Sequence, residues 1–324
     1  MSAGPPAAEP AVEPAAPGPA DGSYAGPVPD RNPARDAIID QLAALADLPG
    51  IRDRADAVRE ACTRLRFHEA LRRRIPEAAA ESRVRGARAS AVLDGVDYPL
   101  DLVRELTTGA RPWPDGLSPD LATLKGAIAA TAESERVASI VRTAPLQAIA
   151  RLHVAAASPF VSAGDAEHTD TLGRPRATGE DTSEFVDLGP APDAAEVSRR
   201  LGQLAELVVA ASTATDRIPA VVISSIVHGE VIAIRPFAHG NGLVARSLER
   251  ALVQALGLDP TGVAVPEAGH VANGAVTYTG SSAAYGKGTA AGVGLWLGQA
   301  ADALLKGVGE GEAICDAVRA GRLG

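Results

Sequence analysis

The stretch Val227-His-Gly-Glu-Val-Ile-Ala-Ile-Arg-Pro-Phe-Ala-His-Gly-Asn-Gly-Leu-Val-Ala-Arg246 gathers residue types suited to handling a phosphate. The apolar run up to Ile234 predicts a helix that stops at Pro236, and Val244, Leu248, Leu252 and Ala255 share one face of a second helix. Between them, Gly240 and Gly242 permit backbone conformations closed to other residues. Successive N–H groups there can point into one concavity at the start of the second helix. Such a nest, at the positive end of a helix dipole, is an anion site. Arg246, one turn into the helix, can reach back with a forked donor for a phosphate. Standing alone, a Gly-Asn-Gly turn would be read only as a reversal between packed helices.

Taken whole, the string resembles the signature of the Fic family, His-Pro-Phe-x-Asp/Glu-Gly-Asn-Gly-Arg-x-x-Arg. Pro236, Phe237, Gly240, Asn241, Gly242 and Arg246 match in register, and the preceding helix carries a histidine, His228, and ends in Ile-x-Pro-Phe. A separate likeness lies upstream, where Ser90-Ala-Val-Leu-Asp94-Gly95 resembles the family's inhibitory motif. The resemblance implies a mainly α fold: a Fic-type helical bundle with a small β-hairpin and an N-terminal helical extension. It implies that Gly240, Asn241, Gly242 and Arg246 hold phosphates of ATP or another nucleotide. It also implies that Arg246 pairs with the Ser90–Asp94 motif and so obstructs the γ-phosphate. Ser90 and Asp94 are four residues apart on a helix and face one partner. Gly173–Arg176 and Val186–Pro192 resemble the family's docking hairpin, which implies a protein target at 170–192.

The departures bear on function. Arg235 stands where the family has its catalytic histidine; arginine stays protonated and offers no acceptor for a hydroxyl proton. General-base catalysis is worth about 10²–10⁴-fold, so ordinary hydroxyl attack should be impaired. His239 stands where the family has its magnesium-binding acid, and imidazole is a poor ligand for that hard cation, so Mg²⁺ is disfavoured. His239, on the same loop beside the nest, is a candidate displaced base, although a lone loop histidine is more often simply solvated. Leu243 replaces the first signature arginine. Tyr278 and Tyr285 fall where the family holds adenine, with packing as the ordinary explanation for both. Two functions stand. One is a divergent transferase moving a nucleotidyl or related phosphoryl group onto a protein hydroxyl; the other is a non-catalytic Fic-fold regulatory or protein-interaction module. Arg246 near Asp94, with loop N–H groups facing a cavity, would favour phosphate binding. Arg246 sealed in a helix interface would count against it.

The elements that position these residues are expected to be helices. Nearly half of the 324 residues are apolar but few are aromatic, a composition suited to close helix–helix contact rather than a β-sandwich. Residues 1–32, rich in Pro, Ala, Gly and acids, read as a disordered tail. Residues 33–110 read as an N-terminal helical unit and 119–262 as the Fic-like domain. Residues 263–324 read as a C-terminal helical segment, with 257–290 irregular. Within 157–192, Ala177-Thr178 and Glu184–Leu188 are the strands of the expected hairpin. Gly280–Thr289 has a phosphate-loop flavour, but its spacing is too long and Gly288 follows Lys287. The net charge of −9 argues against nucleic acid, and the basic run Arg64–Arg74 reads as a solvated helix face. Cys62 and Cys315 form no disulfide framework, and the six histidines show no metal-ligand spacing. No leader or membrane span is read, so a cytoplasmic protein is expected, with a homodimer compatible.

Overall fold

The sequence is punctuated by proline, glycine and short polar residues, and the helices begin and end at them. The computed structural model describes residues 32–161 and 169–322, with Met1 and Gly4; the expected tail lies almost wholly outside these. Helices α1 (Pro33–Ala46), α2 (Ile51–Arg66), α3 (Ile75–Leu93) and α4 (Leu100–Thr108) come first. Then follow α5 (Pro119–Val137), α6 (Pro145–Ala157) and α7 (Ala194–Ala211). The chain closes with α8 (Ala220–Ile234), α9 (Asn241–Ala255), α10 (Pro266–Asn273), α11 (Ala275–Gly286) and α12 (Ala290–Arg319). Ser118, Asp193 and Thr289 cap α5, α7 and α12 by accepting a first-turn N–H each.

Two helices occupy the centre. In α8 every residue but Ala220 and Glu230 is buried, and in α9 every residue from Asn241 to Val253 is buried. A helix covered all round must be surrounded by others, and here α7, α11 and α12 cover α8 while α3, α5, α6 and α10 cover α9. The core runs continuously from Ile39 to Val318 through residues of all three expected segments. Trp296 of α12 donates from Nε1 to the Ser225 carbonyl of α8 at 2.7 Å. No helix among the described residues is long and apolar enough to cross a membrane.

Two expectations fail here. The hairpin is absent: the described residues of 170–192 contain turns and one 3-10 turn, Val186–Leu188, and no strand. Pro175, Pro190 and Pro192 lack an N–H for a ladder, and arginine side chains take the carbonyls that a ladder would use. Arg176 donates to the carbonyls of Glu180, Pro192 and Arg235 at 2.9–3.0 Å, and its own N–H reaches the Pro236 carbonyl at 2.7 Å. The second failure is 257–290, which holds α10 and α11 instead of irregular chain. Gly257, Gly262, Gly274 and Gly288 do turn the chain, with positive φ, but Gly269 serves close approach: a Cβ there would collide with the Ala303 carbonyl of α12. The discarded phosphate loop lies largely within α11.

Candidate functional site

The site forms where α8 hands over to α9. Arg235 caps α8 in a left-handed conformation (φ 43°), and Gly240 does the same ahead of α9 (φ 81°). Asn241 ties the turn by donating from Nδ2 to the Phe237 carbonyl at 2.8 Å and accepting the Phe237 N–H on Oδ1 at 2.9 Å. His153 of α6 stacks on the Phe237 ring with centroids 3.7 Å apart and accepts the Gly173 N–H at 2.9 Å. Burial pushes the His153 pKa down to about 4, so the ring is neutral and packs as an aromatic.

The nest holds an anion, and the anion is internal. The Glu184 carboxylate accepts the Gly240 N–H at 2.6 Å, the Asn241 N–H at 2.8 Å and the Asn241 side-chain amide at 2.8 Å. Burial and the nearby Asp94 carboxylate raise the Glu184 pKa, and these three donors oppose them. A cleft of about 390 Å³ opens beside the nest, lined by Asp94, Glu184, Asp187, His239, Gly240 and Leu243 among others. His239 is exposed on its rim, its ring centroid 6.1 Å from that of Phe160.

Gly242 contributes differently from the expected role. No donor bond from Gly242 to Glu184 accompanies those of Gly240 and Asn241. Gly242 instead leaves room: a Cβ there would lie 2.9 Å from both an Arg246 nitrogen and an Asp94 oxygen. Arg246 is completely buried between α3 and α9. Its Nε donates to the Ser90 hydroxyl at 2.7 Å, and Nη2 donates to the Ser90 carbonyl at 3.1 Å and the Asp94 carboxylate at 2.8 Å. Burial opposes its charge, but Asp94 and Tyr278 more than offset this and raise its pKa above the ordinary value. Ser90, Asp94 and Arg246 are thus brought together, while Arg246 offers nothing to the cleft.

Arg235 also turns away. Its guanidinium donates to the carbonyls of Phe185, Gly189 and Pro190 at 2.8–3.1 Å, and its Nε is buried without a partner. Leu243 is buried. Tyr278 and Tyr285 are buried with their hydroxyls engaged, Tyr278 at His228 Nε2 (2.9 Å) and Tyr285 at Glu230 (3.3 Å).

Sequence spacing missed a cluster that only the fold assembles: His228, Glu249 and His270, wholly buried, with potential ligand atoms within 4.8 Å of one another. The two imidazoles donate to the same Glu249 oxygen at 2.7 and 2.9 Å. Those are hydrogen-bond lengths; nitrogen and oxygen ligands on tetrahedral zinc stand roughly 3.3 Å apart. Burial lowers the His228 pKa and keeps it neutral, while the paired imidazole donors hold Glu249 ionised. One direction of donation then runs from Arg246 through Tyr278 and His228 to Glu249.

No family model matches this sequence, and no curated protein sequence matches it. Solved structures do. A Fic-1 fragment (residues 134–508) from C. elegans superposes with TM-score 0.59 at 15% identity, covering 89% of this chain and 83% of that one. This chain has the Fic fold. A Fic family protein from Desulfovibrio desulfuricans agrees at TM-score 0.53 and 20% identity, over 86% of this chain and 75% of that one. A Fic-domain signaling protein from Bacteroides thetaiotaomicron agrees at 0.56 and 12%, over 82% and 98%. Within this Fic fold the sequence announced the α8–α9 turn and Arg246. It gave no signal for Glu184 as a partner of that turn; Glu184 was expected only to open a hairpin strand, Glu184–Leu188.

Proposed function

We propose that this Fic-fold protein binds the phosphates of ATP or another nucleotide at the Gly240–Asn241 nest, in a resting state where that site is closed. The observation that carries this is the convergence of three N–H donors on one carboxylate, which is the arrangement a phosphate oxygen pair requires. Opening the pair between Arg246 and Asp94 would add a guanidinium one turn along the same helix. The ancestry is that of the protein AMP-transferases, but hydroxyl transfer is impaired: Arg235 has no acceptor and is committed to loop carbonyls. A protein target would dock against 170–192, whose Glu184 covers the nest. Mg²⁺ does not fit the residues present. His239 offers imidazole where an oxygen is wanted, and the Asp94 and Glu184 carboxylates are engaged by Arg246 and the nest.

Titration calorimetry with ATP on the wild type and on Asp94→Gly and Arg246→Ala tests this reading. Asp94→Gly should tighten binding at least tenfold and Arg246→Ala should remove it. Equal affinity in Asp94→Gly and wild type would defeat the inhibitory role of Asp94. The second reading, a protein-interaction module without nucleotide, is favoured by the complete burial of Arg246; it gains if neither wild type nor Asp94→Gly binds ATP.

A further inference from the structure

We infer that Glu184 and Arg235 form a latch that closes the anion nest with the protein's own carboxylate, a second brake beside Asp94. The inference rests on the phosphate-binding reading of the nest and says how that site is gated. Glu184 supplies the occupant: its carboxylate takes both backbone donors at the start of α9 and the Asn241 amide. Arg235 supplies the strap, since its guanidinium holds the carbonyls of Phe185, Gly189 and Pro190, the residues that follow Glu184. Among the described residues, the only non-glycine positions with positive φ are Phe185 (53°) and Arg235 (43°). They are bonded to each other, Arg235 Nη1 to the Phe185 carbonyl at 3.1 Å. Backbone strain of this kind persists only where its surroundings enforce it, and it collects at switch regions. The latch is therefore strained on both sides of its hinge, and a buried Arg235 Nε goes without a partner.

The closed state competes with ligand by mass action. A tethered carboxylate acts at an effective concentration on the order of millimolar or above, so a phosphate must displace it, and apparent affinity falls by the fraction of time the nest is covered. A phosphate brings more negative charge to the same donors than a carboxylate does, which is what lets it win. The residue that replaces the expected base thus plays a different part, holding the cover in place.

ATP calorimetry on the full chain tests the latch. Glu184→Ala should bind ATP at least tenfold tighter than wild type, with Glu184→Gln between them, because the amide keeps the shape and loses the charge. Equal affinity in wild type and Glu184→Ala overturns the latch and leaves the nucleotide site standing. Absence of ATP binding in all variants, including Glu184→Ala with Asp94→Gly, overturns the nucleotide site itself. Hydrogen exchange without ligand then judges the latch alone: the Gly240 and Asn241 amides should exchange at least tenfold faster in Glu184→Ala, and unchanged protection there refutes it.

Discussion

Helix α9 presents two polar regions that differ in what surrounds them. Its N-terminal turn, Gly240–Asn241, faces a cleft and is capped by a loop carboxylate. Its inward face carries Arg246, Glu249 and Arg250, all buried against α3, α10 and α11. The same kinds of group, guanidinium and carboxylate, stand in both. In the first, a loop can leave and take its charge with it; in the second, Glu249 and Arg250 are locked to buried partners, and Arg246 alone has a partner, Asp94, that is partly exposed. Chemistry that needs a site to open belongs to the first region, and fold specificity to the second.

Breaking the second region should have the largest effect. Arg250 and Glu267 form a two-fold hydrogen-bonded pair at 2.8 Å on each arm, both nearly inaccessible, with Ser82 as a further acceptor for Arg250. Glu267→Ala leaves Arg250 charged and unpaired, and the expected loss is about 3–5 kcal/mol in a urea unfolding curve. A loss below 1 kcal/mol would mean that α9 and α10 can part there and that the rigid side of the comparison is not rigid.

His153 supports the first region by stacking on Phe237, and it predicts a pH limb. Its pKa is lowered by burial from 6.5 to about 4, so below pH 6.5 the unfolded chain binds a proton that the folded chain refuses. Stability is unaffected by this group above about pH 6.5 and declines by about 3 kcal/mol as pH falls to about 4. Melting temperature against pH should show that limb in the wild type and a flatter one in His153→Gln. The same slope in both would assign the limb to other groups.

How much could be read beforehand follows the same division. The helix–turn–helix was legible because glycine placement is a local signal, whereas the meeting of Arg246 with Ser90 and Asp94, 156 and 152 residues away, was expected only from the resemblance of the two stretches to Fic motifs. Helix α10 was not, because Gly269 resembles a turn former until α12 is known to pass against it, and α11 was not, because Gly280 and Gly286 read as breakers although they sit inside the helix. The hairpin was expected from strand-like residues between breakers, whereas arginine side chains took the carbonyls. Glu184, His153, Glu249 and His270 reach their partners across at least 20 residues, beyond any pattern a single sequence displays.

An intermediate effect belongs to Asp94, which is partly exposed at the edge of the buried Arg246. Asp94→Asn removes the charge, yet Arg246 keeps both Ser90 contacts. The expected stability loss is about 1–3 kcal/mol, read from the urea midpoint. An unchanged midpoint would place Asp94 wholly with the movable region.

The smallest effect should come from Glu184→Ala, and its smallness is what makes the comparison sharp. Three hydrogen bonds are lost, each worth about 1 kcal/mol net. Against that, the variant removes a desolvated carboxylate beside Asp94 and frees Phe185 to leave its left-handed conformation, for which strain is of order 1–3 kcal/mol. Gly240 lines the cleft, so removal of the carboxylate opens a way for water to reach the nest donors. The terms oppose each other, so unfolding stability should change by about 1 kcal/mol or less, while exchange at the two nest amides rises. A loss as large as that of Glu267→Ala would show that the loop is part of the core and that the nest is a packed helix start with no opening of its own.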